Sequence, residues 1–233
     1  MIDLSDEMAD LWAALGPGAP GRARVLQVAA ARRGEGASTV ARELALFAAK
    51  QASRTVWLLD IDLMASPQHA EFAAHPQRYG ALGEPVAATP DGSSFFTVQP
   101  RAKTREGAPW PDGAYLTAQR VGTSRLWVTR FRRDLLRGGQ TVQVAASPDY
   151  WDALRRHVDL VVVDAPSADR SPAAATLAPF VDETLLVVAA DQTDVKAPAR
   201  LRDGLIGAGG SVAGLFFNRM TVQPPGFLKG LLP

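Results

Sequence analysis

Apolar residues along the chain gather in two patterns. Short unbroken runs lie at 25–28 (VLQV), 55–60 (TVWLLD), 159–164 (DLVVVD), 183–190 (ETLLVVAA) and 212–218 (VAGLFFN). Such runs predict strands buried on both faces, as in a parallel sheet. Between them apolar residues recur at helical spacing. Residues 4–15 carry Leu4, Met8, Leu11, Trp12 and Leu15 on one stripe, with Ser5 or Asp3 as the cap. A helix starting near Ser38 carries Val40, Leu44 and Phe47 on one face. Further helices are predicted over 147–157, with Pro148 in the first turn, over 173–180, and over 195–208, where Gly209-Gly210 ends the helix. Strands alternating with helices predict an α/β fold: three layers, a mostly parallel sheet with helices on both faces.

The middle of the chain is harder to read. From Leu63 to Gln119 periodicity is poor and Pro and Gly are frequent. Residues 94–98 read as an edge strand, 100–113 as an irregular loop, and 126–131 and 142–145 as strands. There is no internal repeat. The organisation expected is an N-terminal helix and linker over 1–21, one α/β domain over 22–220, and an apolar tail over 221–233.

Composition narrows the classes. The 233 residues carry a net charge of +1 and no cysteine, which excludes disulfides and thiolate metal sites. The balanced charge predicts no nucleic-acid partner; the cluster Arg130, Arg132, Arg133 and Arg137 reads as a solvated helix face. No apolar run approaches the ~20 residues of a membrane span, and the N-terminus is acidic where a secretory signal is basic. The expectation is a cytoplasmic protein.

The chemistry concentrates behind the first strand. Strand, glycine loop and helix form the local structure that cradles phosphates, with loop amides turned inward and the helix N-terminus adding its positive end. In the motif G-x-x-x-x-G-K-[ST], the second glycine is Gly36 and the hydroxyl is Ser38, but the first glycine is Ala31 and the lysine is Ala37. Three carboxylates fall at the carboxyl ends of strands, where ligands of such sheets sit: Asp60, Asp62 and Asp164. A magnesium nucleotide needs a hydroxyl in contact with the metal and nearby carboxylates, so Ser38, Asp62 and Asp164 are the candidate metal ligands. The plainer reading is that strand-end aspartates cap turns.

These segments resemble the MinD/ParA class of P-loop ATPases. Within it the chain is similar to the bacterial tyrosine kinases of capsule and exopolysaccharide synthesis. That family's P-G-E-G-K-S-T stands here as Arg33-Gly34-Glu35-Gly36-Ala37-Ser38-Thr39. Its L-L-I-D-x-D-L-R stands as Leu58-Leu59-Asp60-Ile61-Asp62-Leu63-Met64, one residue shorter before the first aspartate. Its D-x-V-I-I-D-x-P-P stands as Asp159-Leu160-Val161-Val162-Val163-Asp164-Ala165-Pro166-Ser167. Its V-x-G-V-V-L-N-R, whose asparagine contacts adenine in relatives, stands as Val212-Ala213-Gly214-Leu215-Phe216-Phe217-Asn218-Arg219. The resemblance implies a P-loop NTPase fold, ATP or ADP with Mg2+ held by Arg32, residues 33–39, Asn218 and Arg219, and a membrane polysaccharide copolymerase (Wzz-like) as partner at the inner face of the membrane. A homodimer is compatible with it.

The departures point away from the kinase. Ala37 replaces the phosphate lysine, Met64 replaces the arginine after the second motif, and Tyr79, Tyr115 and Tyr150 lie well apart with no tyrosine-rich tail. The helix motif E-x-x-R-x-x-R stands as Glu7-Met8-Ala9-Asp10-Leu11-Trp12-Ala13, without its arginines. Losing one electrostatic group of the lysine's kind costs about 3–4 kcal/mol in the transition state, a hundredfold to a thousandfold in rate. Three functions follow: a weak or silent regulatory relative of the capsule kinases, a working ATPase using Arg32 in place of lysine, or a partitioning-type protein that binds DNA or membrane. The tail residues Phe227, Leu228, Leu231 and Leu232 would dock to a partner or membrane surface, or fold back over the domain.

Overall fold

The computed structural model describes residues 4–18, 21–191 and 194–220. The tail and the candidate cap Asp3 lie outside the described residues. In chain order the elements are α1 (Ser5–Leu15), β1 (Arg24–Ala30), α2 (Ala37–Gln51), β2 (Val56–Asp60), α3 (Pro67–Ala74), α4 (Pro76–Tyr79), β3 (Val86–Ala87), β4 (Phe96–Gln99), β5 (Leu116–Arg120), β6 (Leu126–Phe131), β7 (Thr141–Val144), α5 (Pro148–Arg155), β8 (Leu160–Asp164), α6 (Ala173–Leu177), β9 (Glu183–Ala189), α7 (Lys196–Gly207) and β10 (Val212–Asn218).

Among the described residues eight strands form one sheet, ordered β10-β9-β1-β8-β2-β6-β5-β3. The strands from β10 to β6 run parallel; β5 and β3 add an antiparallel margin. The expected α/β sheet is therefore present. Its central strands are apolar on both sides because both sides are covered. Val161 and Val163 of β8 face one core cluster, and Leu160 and Val162 face the other. Each fully buried Val or Leu contributes roughly 1.5–3 kcal/mol.

The structure refines some expectations and corrects others. The face of α2 that meets the sheet is Ala37, Val40, Ala41, Leu44, Ala45, Ala48 and Ala49. Phe47 flanks it, partly buried against the same core, and its ring lies 6.3 Å from that of Trp12 on α1. Small side chains let the helix lie close to the strands, and the bulky ring is left to face α1, which also buries Met8. The edge strand expected at 94–98 is present as β4 and has one partner, β7, in a separate two-stranded antiparallel sheet. The arginine cluster is not a helix face: Arg130 lies on β6, and Arg133 opens a single 3-10 turn. The helices α3 and α4 and the strand β5 occupy the stretch where periodicity was poor, because α3 buries only Gln68 and Phe72 and shows no apolar stripe. No helix among the described residues is long and apolar enough to cross a membrane.

Candidate functional site

The loop after β1 is shaped by two glycines. Gly34 and Gly36 have φ of 89° and 98°, conformations that side chains with a Cβ avoid. A Cβ on Gly36 would stand 2.0 Å from Asn218 Nδ2. The close approach is used: Asn218 Nδ2 donates to the Glu35 carbonyl at 2.9 Å, and Arg219 Nη2 donates to the Gly34 carbonyl at 2.6 Å. Asn218 ends β10 and Arg219 follows it, so the end of a strand two places along the sheet from β1 braces the loop. Glu35, expected at the nucleotide, is buried; its Oε2 accepts the Arg32 N–H at 2.8 Å and closes the loop on itself. Arg33 donates its N–H to Asp169 at 3.3 Å, and Thr39 is exposed. Arg32, the candidate substitute for lysine, is ion-paired with Asp194. The lysine position is filled by the buried methyl of Ala37, packed into the core beneath α2.

The three aspartates differ in role. Asp60 and Asp164 are register partners on β2 and β8, and both are buried. Ser38 Oγ donates to Asp164 Oδ1 at 3.1 Å, so the candidate hydroxyl and carboxylate do meet. The other oxygen is taken by Gln68, whose Nε2 lies 2.6 Å from Asp164 Oδ2 and 2.7 Å from the Ser38 carbonyl. Arg42 Nη1 donates to Gln68 Oε1 at 3.3 Å. Asp60 accepts two backbone N–H groups, from Asp62 at 3.0 Å and Gln68 at 2.9 Å, and serves as a turn cap. Asp62 is ion-paired with Arg170 at 3.0 Å. Beside that pair opens a cleft of about 490 Å³, lined among others by Met64, Val142, Pro166 and Thr176.

Burial dominates the electrostatics of the carboxylates. It pushes Asp164 up to about 6, against the hydrogen bonds from Gln68 and Ser38 and the Arg42 charge. Burial pushes Asp60 well above the usual range, and the Asp164 charge adds to the shift; its two backbone bonds oppose it. Both shifts report charge held in a dry place, which a cation would relieve. The donor set thus fits a magnesium nucleotide in part. Ser38 and Asp164 are adjacent, but Asp62 is ion-paired with Arg170, and the lysine position is Ala37. Among the described residues no group of three His, Cys, Asp or Glu side chains converges as a metal set.

Gln68, Arg170, Asp169 and Asp194 were not identified from the sequence. Only Gln68 carried a signal: Ser66-Pro67 places a proline at the first helical position and announces a helix start.

No protein-family model and no curated protein matches the chain. Solved structures do. The chimerical protein CapA2B2 superposes with a TM-score of 0.59 at 13% identity, over 95% of this chain and 87% of that one. The kinase domain of the Escherichia coli tyrosine kinase ETK superposes at 0.51 with 15% identity, over 94% and 73%. A putative plasmid partition protein of Borrelia burgdorferi, bound to AMPPNP, superposes at 0.50 with 14% identity, over 87% and 76%.

Proposed function

The chain has the MinD/ParA-like P-loop fold, shared with bacterial tyrosine kinase domains, and from it we propose a degenerate member of the capsule and exopolysaccharide tyrosine-kinase type. In this reading it is a regulatory partner of a membrane polysaccharide copolymerase, held at the inner face of the membrane through that partner. Nucleotide binds weakly, with magnesium at Ser38, Asp62 and Asp164, and is hydrolysed slowly or not at all. One observation carries the reading: several groups that a working P-loop turns to a magnesium nucleotide are engaged within the protein. Gln68 takes Asp164, the Arg32 and Arg33 N–H groups donate to Glu35 and Asp169, and the lysine position is a buried methyl. A loop already braced from inside keeps its shape without ligand, as a binding module requires. The alternative, an ATPase using Arg32, is disfavoured by the Arg32–Asp194 pair, which neutralises the guanidinium.

The test pairs turnover with polymer export. Wild type should hydrolyse Mg-ATP at least about a hundredfold more slowly than Ala37→Lys, whose ammonium would enter at the first turn of α2. Ser38→Ala should leave polymer export intact in cells lacking the wild-type chain. Export lost with Ser38→Ala, together with wild-type turnover equal to that of Ala37→Lys, would establish the ATPase instead.

A further inference from the structure

Exposed apolar side chains are unevenly placed. Of the nine large ones exposed among the described residues, five lie around α7 and β10: Val195 at 79%, Ile206 at 53%, Leu215 at 52%, Phe217 at 54% and Met220 at 65%. Leu215 and Phe217 pair in register with Leu186 and Val188. Leu215 thus shares the sheet face of Leu186, and alternation along β10 sets Phe217 on that face too. A groove of about 610 Å³ runs there, lined by Val195, Ala199, Ile206, Val212 and Leu215. Among the described residues β10 is also the end strand of the sheet, with one edge unpaired. An open edge beside an apolar groove invites association, and proteins ordinarily cover such edges with their own chain.

We propose that the groove between α7 and β10 seats this chain's own segment 227–232. The polypeptide leaves β10 at Asn218 and continues for thirteen residues past Met220. Residues 221–226 span at most about 20 Å. α7, twelve residues long, measures about 18 Å, so the whole groove is within reach. Phe227, Leu228, Leu231 and Leu232 are four large apolar residues within six positions. Their apolar character matches the groove's lining. Attachment through a six-residue connection makes this occupant intramolecular, with an effective concentration that a separate partner must exceed.

The absence of cysteine from the chain makes a cross-linking test clean. Ile206→Cys combined with Leu231→Cys, treated with a short bis-maleimide, should give an intramolecular link. Its yield should exceed by at least tenfold that of Leu231→Cys with Val86→Cys, which lies exposed on β3 at the other end of the sheet. In the full chain, replacing Phe227, Leu228, Leu231 and Leu232 by Ser should speed amide exchange in β10 tenfold or more and raise the fluorescence of a dye specific for apolar surface. Equal yields of the two pairs, with unchanged exchange, would overturn the proposal. So would a link that forms only between chains, which would make a second copy the occupant. Flotation of wild type with vesicles of one-third anionic lipid, lost in the serine variant, would overturn it in favour of a membrane.

Discussion

Replacing Asp164 by Asn should make the protein more stable at neutral pH. Asp164 is buried, and its carboxyl titrates near 6 in place of the ordinary 3.8. That difference of about two units corresponds to about 3 kcal/mol at pH values above 6. The sign follows from proton counts. Between about pH 4 and 6 the native state holds a proton that the unfolded chain has released. Stability therefore falls as pH rises through this window, and the loss is complete at neutral pH. Asn removes the charge and also relieves Asp60, whose carboxyl is held up in part by the Asp164 charge. It offers one acceptor to the two donors Ser38 Oγ and Gln68 Nε2, which costs about 1 kcal/mol. The net gain is about 2 kcal/mol at pH 7.5, or about 4–8 °C in Tm for a chain of this length. Thermal unfolding followed by circular dichroism at pH 4.5 to 8 measures it. The gap between variant and wild type should narrow to nothing or reverse at the acid end. A variant less stable than wild type at pH 7.5, or a gap that does not change with pH, would refute the argument and show that Asp164 is held as a fully compensated anion.

Gln68→Ala should destabilise the protein by roughly 2–4 kcal/mol in urea unfolding, because it strips a buried partner from Asp164, the Ser38 carbonyl and Arg42 at once. Gly36→Ala should destabilise through both the 2.0 Å approach to Asn218 and the left-handed backbone; adding Asn218→Ala should recover the first and leave about 1 kcal/mol for the second, read from the same unfolding curves. Incubation with Mg-ATP should give no phosphotyrosine by mass spectrometry, since Tyr115 and Tyr150 are buried, the Tyr150 hydroxyl donates to the Ala88 carbonyl, and burial pushes its ionisation far up. Stoichiometric phosphate on Tyr79 would restore the kinase reading.

The sheet and the loop were legible because each depends on residues adjacent in sequence. A strand covered on both faces must be apolar along its length, so 159–164 and 183–190 announce themselves. Gly34 and Gly36 mark a loop whose backbone only glycine follows at little cost. The antiparallel margin was not legible, since Leu116–Arg120 alternates weakly and pairs with β6 across a tight connection. Val40 and Leu44 were legible on the α2 face, but the alanines that fill the rest of it were not, because closeness to the sheet favours small side chains that carry little hydrophobic signal.

By itself the sequence determined the fold class, the order of the main strands along the chain, and the loss of the lysine at Ala37. What holds the site was decided only by the tertiary structure. Gln68 meets Asp164 across 96 residues, Asn218 meets the loop across 183, and Arg32 meets Asp194 across 162. Such partners are chosen by which strands lie side by side, and the chosen order, β10-β9-β1-β8-β2, is not the order of the chain. A side chain's neighbours in sequence specify its local backbone; its hydrogen-bond partner is set by the packing that buries both groups together.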